Sequence, residues 1–378
     1  MRTTRLAACA LLTLAAAGYL LAGRPAADWP AFRGDAAQTG VSPAPLPAPL
    51  VQRWRVQLGD PKAGTAAVES TAAVAGGIAF VGAFDDHLHA FDLATGKEKW
   101  KLKTGGIKAP VAVHGGAVYA GNFDGVFHCV DAATGQLRWK AELGGDVTSG
   151  ANFLGETVLV GCADETLYCL GRSDGKVRWK FAINGGPVNG TPAVAEGRTF
   201  AAGCDSQLHV LDAATGKELG GVDLGGQVGA AAAVRDGTLY VGTMSAQVVA
   251  VDLKGPKVAW TFEAAKRRQP FYASAAVTDK LVIVGCRDKR VYALDRATGK
   301  EVWGFAADQK VDSSPAVAGD KVYFGAHDGN LYVLEVATGK ELQRIKLDGP
   351  VSASPALGGG CLVIGTERGG VYCFGAAP

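Results

Sequence analysis

The sequence predicts an all-β chain folded as an eight-bladed β-propeller of four-stranded antiparallel blades, the last closed by an N-terminal strand. Three observations predict it. A segment of the form D-x-A-T-G-K-x-x-W returns about every 40 residues. Each copy divides into four short apolar runs, and the final copy lacks one run that stands without a partner near the N-terminus.

Residues 1–27 come first and differ from the rest. Arg2 and Arg5 precede an apolar run from Leu6 to Ala22, followed by GRPAA. A positive start, an apolar middle and small residues are the plan of a secretory signal. An uncleaved N-terminal anchor is the other reading, and both export the body of the protein. Leu6-Ala7-Ala8-Cys9 has the letters of a lipidation box but precedes the apolar run instead of following it. Residues 28–50 end in the Pro-rich VSPAPLPAPL and read as an extended strap.

Residues 51–378 carry the repeat. Asp92, Asp131, Asp212, Asp252 and Asp295 open its turns, with Gly171, Glu335 and Gly375 in the same slot, at spacings of 39, 40, 41, 40, 43, 40 and 40 residues. Eight residues beyond the slot stand Trp100, Trp139, Trp179, Trp260 and Trp303, replaced by Gly220 and Gln343 in the fourth and seventh copies. The apolar runs are short and are broken by Gly and Asp, as in successive hairpins. The eighth copy stops after three strands, and VQRWRVQL, Val51 to Leu58, has the outer-strand pattern and its own Trp54. Pairing the two leaves no long free edge. Gly supplies the turn conformation that other residues resist. The tryptophans, Trp54 included, are expected to dock blade on blade.

Composition narrows the function. With 38 basic and 36 acidic residues the net charge is +2, so there is no electrostatic footprint for nucleic acid. Membrane contact is expected only through an uncleaved N-terminal segment, and the chain reads as a monomer.

VYALDRATGKEVW, Val291 to Trp303, resembles the repeat of the quinoprotein (PQQ-type) propellers, over about 320 residues, and DWPAFRG, Asp28 to Gly34, resembles the opening of exported members. The resemblance implies one of two purposes. Some members are quinone-dependent alcohol or sugar dehydrogenases, which hold pyrroloquinoline quinone and calcium on the ring axis, with an Asp as base. Others are similar to BamB, a non-catalytic envelope scaffold. Many of the enzymes carry adjacent cysteines, and this chain has no Cys-Cys pair and no C-x-x-C-H. Its inter-blade segments are short, and no calcium or catalytic set maps onto it. The expectation is an exported, BamB-like scaffold binding envelope protein partners, with no catalytic residue, metal or cofactor. The alternatives are a dehydrogenase using PQQ with calcium, and a propeller binding glycan or peptide in its axial funnel.

His89, His128 and His209 occupy the slot of Tyr168, Tyr292, Tyr332 and Tyr372 and so read as repeat aromatics. His87 and His89 share a strand face without an evident third ligand. Asp85, Asp124, Asp164, Asp205, Asp288 and Asp328 read as turn residues. Seven cysteines follow the leader and read mainly as small buried residues. Cys361 and Cys373 flank one turn symmetrically, which makes them a candidate disulfide. The longest spacing holds EAAKRRQPFYAS, whose Lys266, Arg267, Arg268, Phe271 and Tyr272, with Arg287, Lys289 and Arg290 of the next blade, form a candidate surface for an acidic protein segment or anionic glycan. A solvated loop is the other reading.

Overall fold

In the computed structural model, which describes residues 27–264 and 268–377, every repeat becomes one antiparallel sheet and no described residue is helical. The leader apart from Ala27, along with Lys266 and Arg267, lies outside the described residues. Blade 1 is Ala73–Ala75, Ile78–Gly82, His87–Asp92 and Glu98–Lys103, numbered from the axis outward, and blades 2 to 7 repeat the order. Blade 8 takes Ala356–Gly358, Cys361–Gly365 and Gly370–Gly375 from the C-terminus and Val51–Gln57 from the N-terminus as its outer strand. Ring closure is therefore as expected. The outer strand of every blade carries a β-bulge just before the Trp slot.

The repeated turn serves the junction between blades. Thr95 Oγ1 donates to Asp92 Oδ1 at 2.7 Å, and Gly96 N donates to the Asp92 carbonyl at 2.8 Å. Gly96 has φ +71°, and a Cβ there would stand 2.7 Å from the Trp54 ring. Gly135, Gly175, Gly216, Gly299 and Gly339 lie in the same way on Trp100, Trp139, Trp179, Trp260 and Trp303. Glycine is thus required twice, by left-handed backbone and by the ring of the preceding blade. Each ring also reaches past the glycine: Trp54 Nε1 donates to Leu93 O at 2.8 Å, Trp100 to Ala132 O at 3.0 Å and Trp139 to Arg172 O at 2.7 Å. Trp260 and Trp303 do the same to Arg296 O and Val336 O, while Trp179 Nε1 has no partner.

Residues 27–42 are more than a strap. They run along the inner edges of all eight blades. Ala27 O accepts from Gly359 N and Trp29 exchanges backbone bonds with Val74, while Pro30 O accepts from Val113 N. Ala36 O takes both Asn152 Nδ2 and Val194 N, and Ala37, Thr39 and Gly40 take Val234, Val277 and Val317. Val41–Ser42 then pairs parallel with the inner strand of blade 7. The inner strands would otherwise present unpaired edges to the axis. Arg33 is buried within this segment, its guanidinium donating to the carbonyls of Ser314, Ala275 and Pro315, and burial lowers its pKa to about 9.

Candidate functional site

Each link from an outer strand to the next inner strand places one residue at the mouth of the ring axis. In blade order these are Glu69, Lys108, Thr148, Asn189, Gly229, Tyr272, Asp312 and Ser352. They occupy equivalent positions in the repeat, so the mouth is a ring of unlike side chains on like backbone. Two residues deeper, blades 1, 4, 6, 7 and 8 carry the hydroxyls of Thr71, Thr191, Ser274, Ser314 and Ser354. Ala231 N donates to Ser274 Oγ at 3.0 Å, Ser274 N to Ser314 Oγ at 2.9 Å, Ser314 N to Ser354 Oγ at 2.9 Å, and Ser354 N to Thr71 Oγ1 at 3.3 Å. These bonds tie blades 5, 6, 7, 8 and 1 in succession and pair backbone donors that would be costly to leave unmade. Phe32, from the segment that lines the inner edges, also borders the funnel.

The mouth is electrostatically lopsided. Thr148, Asn189 and Gly229 make blades 3 to 5 neutral, while charges crowd the opposite sector around a lobe of about 490 Å³. Asp312 accepts two bonds from Arg287, at 2.8 and 2.9 Å, with Lys310 Nζ at 3.3 Å and His327 Nε2 at 3.2 Å. Burial alone would raise the Asp312 pKa, but His327, Arg287 and Lys310 hold it well below the usual carboxylate range. His327 Nδ1 also stands 3.5 Å from Glu367, and Lys108 pairs with Glu69 at 3.0 Å. The Arg287 guanidinium lies over the Tyr272 ring, 3.9 Å from its centroid.

Pyrroloquinoline quinone with calcium requires oxygen ligands gathered about one point. The axial carboxylates instead each face a cation from the protein or a histidine, and among the described residues no three of these groups come together at the axis. The residues present do not fit that group.

The candidate surface residues divide. Tyr272 and Arg287 belong to the funnel mouth. Arg268 is exposed, with Glu263 at 3.6 Å, and Lys289 Nζ reaches the Asp308 carbonyl at 3.1 Å. Arg290 pairs with Glu301 and lies over Tyr292. Phe271 is fully buried in the core between blades 5 and 6, where it fills the space over Gly242, and it presents nothing to a partner. The cysteine register also differs from the symmetric expectation. Cys373 lies opposite Val363, so Cys361 is its diagonal neighbour, and both are buried free thiols. The hydrogen bond from Cys373, together with Arg53, lowers the Cys361 pKa.

The second turn holds more than the turn chemistry expected of its Asp residues. In blade 1 Asp85 accepts from His87 N at 3.2 Å and its carboxylate lies 3.1 Å from His89 Nε2, while His89 Nδ1 meets Glu98 at 2.8 Å. Blade 4 repeats this with Asp205, His209 and Glu218, and in blades 3, 6 and 7 a tyrosine hydroxyl takes the place of the ring nitrogen. The mouth ring was legible in principle, by reading one fixed position through all eight registers.

Residues 51–127, 123–219 and 204–378 match the family model for outer membrane protein assembly factor BamB. Among solved structures the chain is similar to BamB from Moraxella catarrhalis, with 20% identity, TM-score 0.72, and coverage of 86% of this chain and 100% of that one. It is similar to quinohemoprotein alcohol dehydrogenase from Comamonas testosteroni at 17% identity and TM-score 0.76, covering 93% of this chain and 81% of that one. A computationally designed protein, Ika8, also matches at 19% identity and TM-score 0.72, covering 82% and 97%. These likenesses to solved structures show the fold. No curated relative matches the sequence.

Proposed function

Because the chain belongs to the family of outer membrane protein assembly factor BamB, we propose that it is an exported, non-catalytic propeller that binds protein partners at the cell envelope, within a machinery that assembles outer-membrane proteins. The observation that carries the non-catalytic half is the state of the axial carboxylates. Asp312 is spent on Arg287 and Lys310, and Glu69 on Lys108, which leaves neither free to ligate calcium or to act as a base. Arg268 and Lys289 supply the basic rim for an acidic segment of the partner.

The funnel supports a second reading, capture of a glycan or a peptide strand. Tyr272 stacked under Arg287 beside the hydroxyls of Ser274, Ser314 and Ser354 offers an aromatic platform with polar groups around it.

One experiment separates these from a dehydrogenase. The mature protein is titrated with pyrroloquinoline quinone and calcium, followed by dye-linked alcohol and sugar oxidation. In parallel, a tagged exported copy is cross-linked in cells and its envelope partners are identified. The proposal expects no quinone uptake and a partner set lost in an Arg268→Glu/Lys289→Glu variant. Saturable quinone binding with turnover would overturn it.

A further inference from the structure

We infer that the second turn of blade 1 is a binding site for a divalent transition-metal ion, best matched by Zn²⁺, with Asp85, His87 and His89 as ligands. The inference is independent of the scaffold reading. One ligand atom from each of the three residues lies within 4.8 Å of the others. His89 Nε2 and the Asp85 carboxylate are 3.1 Å apart. Two ligands of a tetrahedral zinc with bonds of about 2.0–2.1 Å stand roughly 3.3 Å apart, so this pair needs little movement, whereas His87, whose Nδ1 donates to the Asp85 carbonyl at 2.7 Å and lies 3.8 Å from Asp85 Oδ1, must turn its ring to join them.

The surroundings are those of a built site. His89 is buried, with a side-chain exposure of 2%, and Glu98 receives its Nδ1 proton at 2.8 Å. With Nδ1 held by Glu98, Nε2 is the nitrogen open to a metal, which would displace the proton it shares with Asp85 and give the carboxylate–histidine–metal arrangement found around zinc. The His89 ring is further stacked on Phe91, 9° from parallel. His87, at 27% exposure, opens the cluster to solvent, so water completes the coordination.

The fold supplies its own controls. Blade 4 has the same frame of Asp205, His209 and Glu218, but Gln207 stands where blade 1 has His87. Blade 2 has Asp124 and His128 with Val126 between them, and blades 3, 6 and 7 have tyrosine in the His89 slot. Among the described residues, blade 1 alone brings three ligands together. The Asp–aromatic frame belongs to the repeat, and His87 is the addition that converts it into a metal site.

The test uses the full mature chain, stripped with a chelator and titrated with Zn²⁺ by calorimetry, with bound metal counted by mass spectrometry. The expected result is one ion per chain. Glu98→Gln weakens binding by roughly 10–100-fold, as loss of an outer carboxylate does at other zinc histidines. His87→Gln, which copies the folded pattern of blade 4, weakens it more, and His209→Gln leaves it unchanged. Asp85→Asn provides a second ligand variant, and circular dichroism checks the fold of each. Absence of saturable uptake, or wild-type affinity in both His87→Gln and Asp85→Asn, overturns the assignment.

Discussion

Arg198 Nη1 donates to the Leu253 carbonyl at 2.7 Å, the position that at five other blade junctions receives a tryptophan indole N–H. Blade 4 has Gly220 in its Trp slot, and blade 5 has Leu253-Lys254-Gly255-Pro256 in place of the repeated turn. Both halves of the junction are lost together, and an arginine from the second strand restores the hydrogen bond alone. Hydrogen bonds to charged groups contribute about 1.5–3 kcal/mol. Arg198→Ala is expected to lower unfolding free energy by about 1–2 kcal/mol in urea, since the side chain keeps some solvent contact and a second partner, the Glu196 carboxylate. A change below about 0.5 kcal/mol, the scale of ordinary surface substitutions, would show the carbonyl is content with water.

The turn glycines allow the backbone and packing requirements to be separated. Gly135 and Gly77 both have φ +75°, but a Cβ at Gly135 meets the Trp100 ring at 2.7 Å while one at Gly77 meets nothing within 4 Å. Gly77→Ala should cost about 1 kcal/mol from left-handed backbone alone. Gly135→Ala should cost at least about 2 kcal/mol, because overpacking adds to the strain. The excess should vanish when Trp100 is also replaced by alanine, as a double-mutant cycle would record. Equal costs at both positions would remove the docking argument.

The half-buried His209 and the buried His128 should respond to pH in opposite directions. Burial would lower the His209 pKa, but Asp205 and Glu218 outweigh it and raise the pKa above the ordinary value. Its stabilisation is therefore fully present below an unfolded pKa of about 6.5 and is lost as pH rises through the higher folded value. Burial lowers the His128 pKa, so its contribution is present above about 6.5 and is lost as pH falls through the folded value. Urea unfolding on the acid and alkaline sides of neutrality checks both signs. The deficit of His209→Gln should widen toward acid, and that of His128→Gln should widen toward alkali.

The axial segment should protect the inner strands. Amides of Val113, Val194, Val234, Val277 and Val317 all donate to carbonyls of residues 30–40. In the mature chain they should be among the slowest to exchange with deuterium, because opening them requires lifting the segment. Trp29→Ala, which empties a fully buried site, should cost about 3–5 kcal/mol and accelerate exchange at these valines above all. Uniform acceleration across all strands would mean the segment has no identity of its own.

The parts of the fold legible in the sequence are those that repeat. Strand boundaries, the number of blades and the closing of blade 8 by Val51–Gln57 all follow from apolar alternation between turns. Each of these is a local pattern, and eight registers average away its exceptions. The candidate site was less legible. Tyr272 and Arg287, expected on the rim, lie in the funnel mouth, whereas Phe271, from the same link as Tyr272, turns inward to fill the space over Gly242. An aromatic beside a basic run looks the same in sequence whether it faces solvent or the neighbouring blade.

Repetition, then, specified the ring: periodic apolar residues and turn glycines admit one way of burying every sheet against its neighbours. Single residues with no counterpart in other blades took their meaning only from three-dimensional neighbours. Arg198 matters because Leu253 O lacks an indole, and His87 because its ring meets Asp85 and His89. Residues 27–42 matter because eight inner edges converge on one axis and leave backbone groups to be paired. Hydrophobic periodicity acts over a few residues, while convergence on an axis is a property of the closed ring.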